Sequence, residues 1–226
     1  MATRINNKNS ILILLRHGQS TYNEENRFTG WKDVSLTDKG KMEAENAAVL
    51  LKDFSIDLAF TSKLKRAQDT LNIILNSLSL QLHTTYDKRL NERDYGDLIG
   101  QNKKEAAMKF GEKQVQIWRR SYNNPPPGGE SLAMTYERCV PYFKSSVMSK
   151  LKNNTILLSA HGNSIRAIVK YLLNISNDDI LKTEIGWCEP WVFTFDEKMV
   201  LSNFEILFKE NTNSALPEHI VKSLKF

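Results

Sequence analysis

Two short phrases in this chain share one pattern. "ILILLRHGQS", residues 11 to 20, runs through five apolar residues and ends in Arg16, His17 and Gly18. "TILLSAHGNS", residues 155 to 164, runs through a second apolar stretch and ends in His161 and Gly162. One His-Gly pair after a strand is usually a turn and nothing more. The chain has only four histidines, however, and two of them stand in this setting. A neutral imidazole nitrogen is a competent nucleophile and can carry a phosphoryl group covalently. The group in transfer needs cations and N–H donors around its equatorial oxygens. Arg16 adjoins His17, and Arg66 follows a strand-like run in "TSKLKR". Asn163 opens a helix-like run in "HGNS", where the helix dipole also favours anions. His161 fits as an electrostatic partner of the phosphoryl group, while Gly18 and Gly162 let backbone approach closely. Singly, each has a plainer role: Arg66 as a solvated helix residue, Asn163 as a cap, Arg119 and Arg120 as surface charge. Their joint placement carries the chemistry.

That placement depends on the elements. Ile11 to Leu15 shows no polar alternation, so it reads as a strand buried on both faces, as in the parallel sheets of α/β proteins. In such sheets ligands bind just beyond the carboxyl ends of the strands, where Arg16 and His17 stand. "SLTDKGKMEAENAAVLLKDF" reads as a helix capped by Ser35 or Thr37. "DLAFTS" (57–62) is a short strand, "SKLKRAQDTLNIILNSL" (62–78) an amphipathic helix, and "QLHTTYDKRL" holds a third strand. "SLAMTYERCVPYFKSSVM" and "NSIRAIVKYLLN" read as helices, "PWVFTFD" and "VLSNFEILF" as closing strands. Strands alternating with helices predict a three-layer α/β/α sandwich with a largely parallel sheet. Residues 1–226 form one domain in this reading. A polar excursion at about 96–130, with "WRR" at 118–120 and "PPPGG" at 125–129, lies over the sheet, and the tail from about 209 is loosely held.

Composition narrows the function classes. With 41% apolar and 25% charged residues, the 226-residue chain is an ordinary globular sequence able to bury a full core. No run approaches the ~20 apolar residues of a membrane span. The N-terminal apolar run of five residues is shorter than the ~7–15 of an export signal. Two cysteines, Cys139 and Cys188, make no disulfide framework, and no Cys/His cluster has zinc spacing. A cytoplasmic protein without metal or membrane partner is expected. The net charge of +5 favours an anionic partner. The lysines are scattered without interleaved aromatics, so a small phosphorylated molecule is expected rather than nucleic acid.

"LRHGQSTYNEENRFTGWKDVSLTDKG" resembles the N-terminal signature of the cofactor-dependent phosphoglycerate mutases, in the histidine phosphatase superfamily. The resemblance continues through "TSKLKRAQDT", "RLNERDYGDLIGQNKKEAAMKFGE", "IWRRSYNNPPP" and "SAHGNSIRAIVKYL", roughly residues 11 to 196. "RHG" marks only the superfamily, whereas "NRFTGW", "LNERDYG" and "WRRSY" are far more specific. The resemblance implies that His17 becomes phosphorylated and that Glu92 is the general acid/base. It implies a phosphate pocket of Arg16, Asn23, Arg66, His161, Gly162 and Asn163. It implies a substrate shell of Thr29, Gly30, Tyr95, Lys103, Arg119 and Arg120. The implied reaction interconverts 3-phosphoglycerate and 2-phosphoglycerate, primed by 2,3-bisphosphoglycerate and without metal; the alternative is a phosphatase of the same superfamily. A homo-oligomer, dimer or tetramer, is left open. The chain departs from the family in three places: the short "PPPGGESL" loop, Gly186-Trp187-Cys188 where the family usually reads Pro-Thr-Gly, and the tail "KENTNSALPEHIVKSLKF".

Overall fold

The apolar run after Ser10 forms a strand, β1 (Ser10–Arg16), in which Leu12, Ile13, Leu14 and Leu15 are wholly buried. A computed structural model describes residues 9–224. The expectation that the N-terminus carries no export signal falls mostly on residues 1–8, outside the described residues. The other strands are β2 (Leu58–Thr61), β3 (Thr84–Tyr86), β4 (Thr155–Ala160), β5 (Trp191–Phe195) and β6 (Leu201–Ile206). They form one sheet in the order β3-β2-β4-β1-β5-β6. β1 runs parallel to β4, and β2 is parallel to both β4 and β3. β5 turns back antiparallel to β1, and β6 antiparallel to β5. The sheet is therefore parallel on one side of β1 and antiparallel on the other. β6, at the edge, keeps exposed residues that β1 and β4 lack.

The helices are α1 (Thr21–Glu24), α2 (Asp38–Leu51), α3 (Lys65–Ser77), α4 (Lys103–Phe110), α5 (Glu112–Arg120), α6 (Leu132–Tyr142), α7 (Gly162–Leu172), α8 (Asn177–Lys182) and α9 (Glu218–Ser223). Thr37, not Ser35, caps α2: its hydroxyl accepts from the Gly40 N–H at 3.0 Å. Alternate residues of β1 feed the two faces of the sheet. Ile13 and Leu15 join Ala44, Leu51, Leu71 and Ile74 of α2 and α3, while Leu12 and Leu14 join Tyr142, Ile165 and Ile168 of α6 and α7. Each such side chain is worth about 1.5–3 kcal/mol when fully buried. A one-residue slip of β1 would exchange the two sets, so packing holds the register on which the site depends. The helix read over 131–148 is shorter than expected. α6 ends at Tyr142 and passes into a wider π turn, Phe143–Val147. Pro141, in the last turn of α6, lacks an N–H to donate and loosens the ladder where the π turn begins.

Residues 96–130 contribute no strand. Their helices α4 and α5 pack on a small core of their own, Phe28, Leu98, Ala106 and Val115. The tail touches the body at Ser214 and Ala215. Ala215 pairs with Glu184 as an isolated antiparallel bridge, and Ser214 is buried, because the tail's backbone donors find acceptors on the loop before β5.

Candidate active site

The parallel pairing of β1 and β4 sets Arg16 opposite Ala160, so the next residue of each strand is a histidine. The two rings meet edge to face, with centroids 5.1 Å apart and planes at 61°. His17 Nδ1 lies 2.7 Å from the carbonyl oxygen of Gly18. A carbonyl only accepts, so Nδ1 carries the proton and Nε2 keeps its lone pair. Arg66 donates to that lone pair from Nε at 3.2 Å. Burial, with the charges of Arg66 and Arg16, holds the His17 pKa well below the usual 6.5. The imidazole is thus neutral at physiological pH, with the nucleophilic nitrogen in the right tautomer. Gly18 is required for packing as well: a side chain there would overlap the backbone of Gly40 in α2.

Arg66 is 1% exposed, and burial lowers its pKa to about 10, which still leaves it charged. Its guanidinium is fixed by the carbonyls of Gly30 at 2.9 Å and Lys32 at 3.1 Å. Arg16 donates to the Ile185 carbonyl at 2.8 Å and lies 5.3 Å from the centroid of the Trp187 ring. His161 Nε2 is 2.8 Å from the Ser62 hydroxyl, which already accepts from the Leu64 N–H. With the hydroxyl hydrogen directed to Nε2, Nδ1 carries the proton and is free to donate. Burial, then the neighbouring Arg66, keeps His161 neutral as well. His161 Nδ1 and Arg16 Nε are buried without a protein partner. Buried donors left open in this way suit a site completed by an anion.

Glu92 faces this group from the turn before Tyr95. Its Oε1 accepts from the backbone N–H groups of Arg93 at 2.8 Å and of Asn163, at the start of α7, at 3.0 Å. Its own carbonyl is held by Trp31 Nε1 at 2.6 Å and by Arg138 at 3.1 Å. Asn23 turns its amide oxygen back to the backbone N–H and hydroxyl of Ser20, which leaves its NH2 group for the cleft it lines. Tyr95 receives Arg93 at 2.7 Å.

A cleft of about 160 Å³ brings these groups together. Arg16, His17, Asn23, Thr29, Gly30, Arg66, Glu92, Tyr95, Lys103, Arg119, Arg120, Gly162 and Asn163 all line it, and His161 stands directly behind His17. Sequence reasoning missed four lining residues: Arg27, Phe28, Arg166 and Glu184. Arg166 carried a readable signal, a charge three residues after Asn163 in the apolar stretch of its helix. Glu184 had none, since its role comes from the loop that carries it. It pairs with Arg120 and with Arg166, each at 2.7 Å. Seven cations and two carboxylates thus surround the cleft, a setting for a small ligand with several negative charges. Among the described residues no group of three or more His, Cys, Asp or Glu side chains is arranged to hold a metal.

The family model "Histidine phosphatase superfamily (branch 1)" matches residues 12–202. A protein of Parvibaculum lavamentivorans named 2,3-bisphosphoglycerate-dependent phosphoglycerate mutase is 45% identical, covering 90% of this chain and 99% of its own length. One of Azorhizobium caulinodans with the same name is 49% identical over 81% of this chain and 91% of its own. Among solved structures, the mycobacterial glucosyl-3-phosphoglycerate phosphatase superposes with a TM-score of 0.74 at 25% identity, covering 88% of this chain and 97% of that one. The paired histidines at adjacent strand ends and the family match across both of them agree: the chain belongs to branch 1 of the histidine phosphatase superfamily.

Proposed function

We propose that the chain is a 2,3-bisphosphoglycerate-dependent phosphoglycerate mutase, interconverting 3-phosphoglycerate and 2-phosphoglycerate through phospho-His17. The observation that carries the chemistry is the neutral, correctly protonated His17 at the floor of a strongly cationic cleft. His17 Nε2 attacks phosphorus; an N–P bond forms as the P–O bond to the leaving oxygen breaks. Glu92 protonates that oxygen, and in the return step takes the proton of the hydroxyl that attacks phosphorus. Arg16, Arg66, Asn23, His161 and the N-terminus of α7 at Gly162 and Asn163 stabilise the equatorial oxygens. Lys103, Arg119 and Arg120, with Arg27 and Arg166, hold the carboxylate and the second phosphate, and Thr29, Gly30 and Tyr95 shape the wall between.

The same cations fit 2,3-bisphosphoglycerate, and the unpartnered Arg16 Nε and His161 Nδ1 are the donors such a ligand would satisfy. When bound, it supplies the phosphoryl group that loads His17. The names of the relatives support this reading over a phosphatase. The fold shared with a named phosphatase supports the alternative, in which water takes the phosphoryl group. A mutase assay with and without 2,3-bisphosphoglycerate, with free phosphate measured in the same tubes, separates the two. Isomerisation that depends on the bisphosphate and releases little phosphate supports the mutase; stoichiometric phosphate release supports the phosphatase.

The wider expectations follow from the same reading. No described helix is long and apolar enough to cross a membrane. We place the enzyme in the cytoplasm as one domain acting on a small phosphorylated substrate, without nucleic acid, and sedimentation would decide between monomer, dimer and tetramer. Every step is assigned to protein groups, so EDTA is expected to leave turnover intact.

A further inference from the structure

Two segments depart from the family pattern, the Gly186–Cys188 loop and the tail, and the structure shows them gripping each other. The Glu189 carboxylate is 7% exposed. It accepts from the Thr212 hydroxyl at 2.6 Å, the Asn213 N–H at 2.7 Å and the Ser214 N–H at 2.9 Å. The Ser214 hydroxyl oxygen in turn accepts from Gly186 N–H at 2.9 Å and Trp191 Nε1 at 3.1 Å. Next to it, Ala215 and Glu184 exchange both backbone hydrogen bonds at 2.9 Å. A side chain at Gly186 would overlap the Glu189 carboxylate, so the loop is folded tightly over it. A buried carboxylate is costly unless donors fill its lone pairs. These donors all come from the tail.

The loop held in this way bears on the cleft at three points. Glu184 pairs with Arg120 and Arg166. The Ile185 carbonyl receives Arg16, and Trp187 lies against the Arg16 guanidinium. Cys188, at φ +52°, returns its N–H to the Arg16 carbonyl at 3.0 Å. Without the tail's donors, Glu189 would have to turn towards water and carry Glu184 and Ile185 with it.

We infer that Glu189 is a positioning residue: by binding Thr212–Ser214 it fixes the loop that aims Arg16, Arg120 and Arg166 into the cleft. This rests on the cleft's role in binding phosphoglycerate, argued above. The tail thus acts from behind the substrate cations.

The test is steady-state kinetics and thermal denaturation of the full chain carrying Glu189→Gln, with Ser214→Ala as a milder variant should the first fail to fold. Glu189→Gln turns an N–H donor towards one of the tail donors. It is expected to raise KM for phosphoglycerate roughly tenfold, the scale of one charged hydrogen bond lost, with kcat within about threefold. Because Glu189 acts largely through Glu184, Glu189→Gln combined with Glu184→Gln should raise KM by less than the product of the single effects. A purely structural role would lower the melting temperature and leave KM unchanged; that result overturns the inference. So would a fall in kcat alone, or full multiplicativity in the double variant. Wild-type mutase activity is measured alongside, and its absence would instead count against the functional reading itself.

Discussion

Arg66 rests its Nε on the lone pair of His17 Nε2, 3.2 Å away. In the mechanism proposed above, the cation that binds the phosphoryl group therefore first occupies the nitrogen that attacks it. On that proposal a bound phosphate oxygen takes over the Arg66 Nε donor, which frees the Nε2 lone pair for attack. His17→Ala is expected to abolish the acid-labile, alkali-stable phosphate that 2,3-bisphosphoglycerate leaves on the peptide containing residue 17. Label retained at wild-type level would move the carrier elsewhere.

Both histidines also make stability depend on pH. His17 and His161 are neutral in the folded chain because burial, above all, depresses their pKa well below 6.5. In the unfolded chain they titrate near 6.5, so below that pH the unfolded state binds more protons and is favoured. The stabilisation is full above about pH 6.5 and is lost as pH falls from there towards the folded values. Urea midpoints measured between about pH 7.5 and 5.5 should fall, and His161→Gln should flatten the slope. A wild-type profile flat over that range would contradict the neutral-pair assignment.

Glu92→Gln preserves shape, since Gln Oε1 can still accept from the Arg93 and Asn163 N–H groups. It removes only the proton chemistry. Turnover should fall by about 10²–10⁴ with a much smaller change in KM. A near wild-type rate would reassign the role. Glu130 is not the substitute, because it is tied to Arg138 at 2.6 Å and does not line the cleft.

Arg119 and Arg120 separate the two readings of the reaction. Removing either should weaken phosphoglycerate binding about ten- to a hundred-fold, the scale of one charged hydrogen bond. Hydrolysis of phospho-His17 should fall less, so the ratio of phosphatase to mutase activity should rise. Parallel loss of both activities, or no change, would favour the phosphatase.

Gly40 offers a test of sign. Gly to Ala inside a helix usually stabilises by about 0.5–1 kcal/mol. Here the added methyl would overlap the Gln19 carbonyl, behind the His17 loop. Gly40→Ala is therefore expected to lower the melting temperature by several degrees. An increase would show that α2 can slide outward without cost.

The strands and the paired histidines were legible because β1 and β4 are mainly apolar runs, each followed by His-Gly. The antiparallel direction of β5 was not, since the pairing of a strand buried on both faces is not encoded in its own residues. The cations at Arg16, Arg66, Arg119 and Arg120 could be read from motifs. Glu184 and Glu189 could not: each is one carboxylate in a loop, Glu184 given meaning by Arg120 and Arg166 from distant helices and Glu189 by tail residues that arrive about 25 positions later.

The pairing of Ile11 with Thr155 has a consequence for how the enzyme comes into being. His17 is synthesised long before its partner His161 and the start of α7. Loop closure over that distance must precede any reward from the contact. A nascent chain therefore carries a solvated imidazole with an ordinary pKa and no anion pocket. Catalytic competence is a property of the finished sheet, and its recovery on refolding reports the joining of β1 to β4.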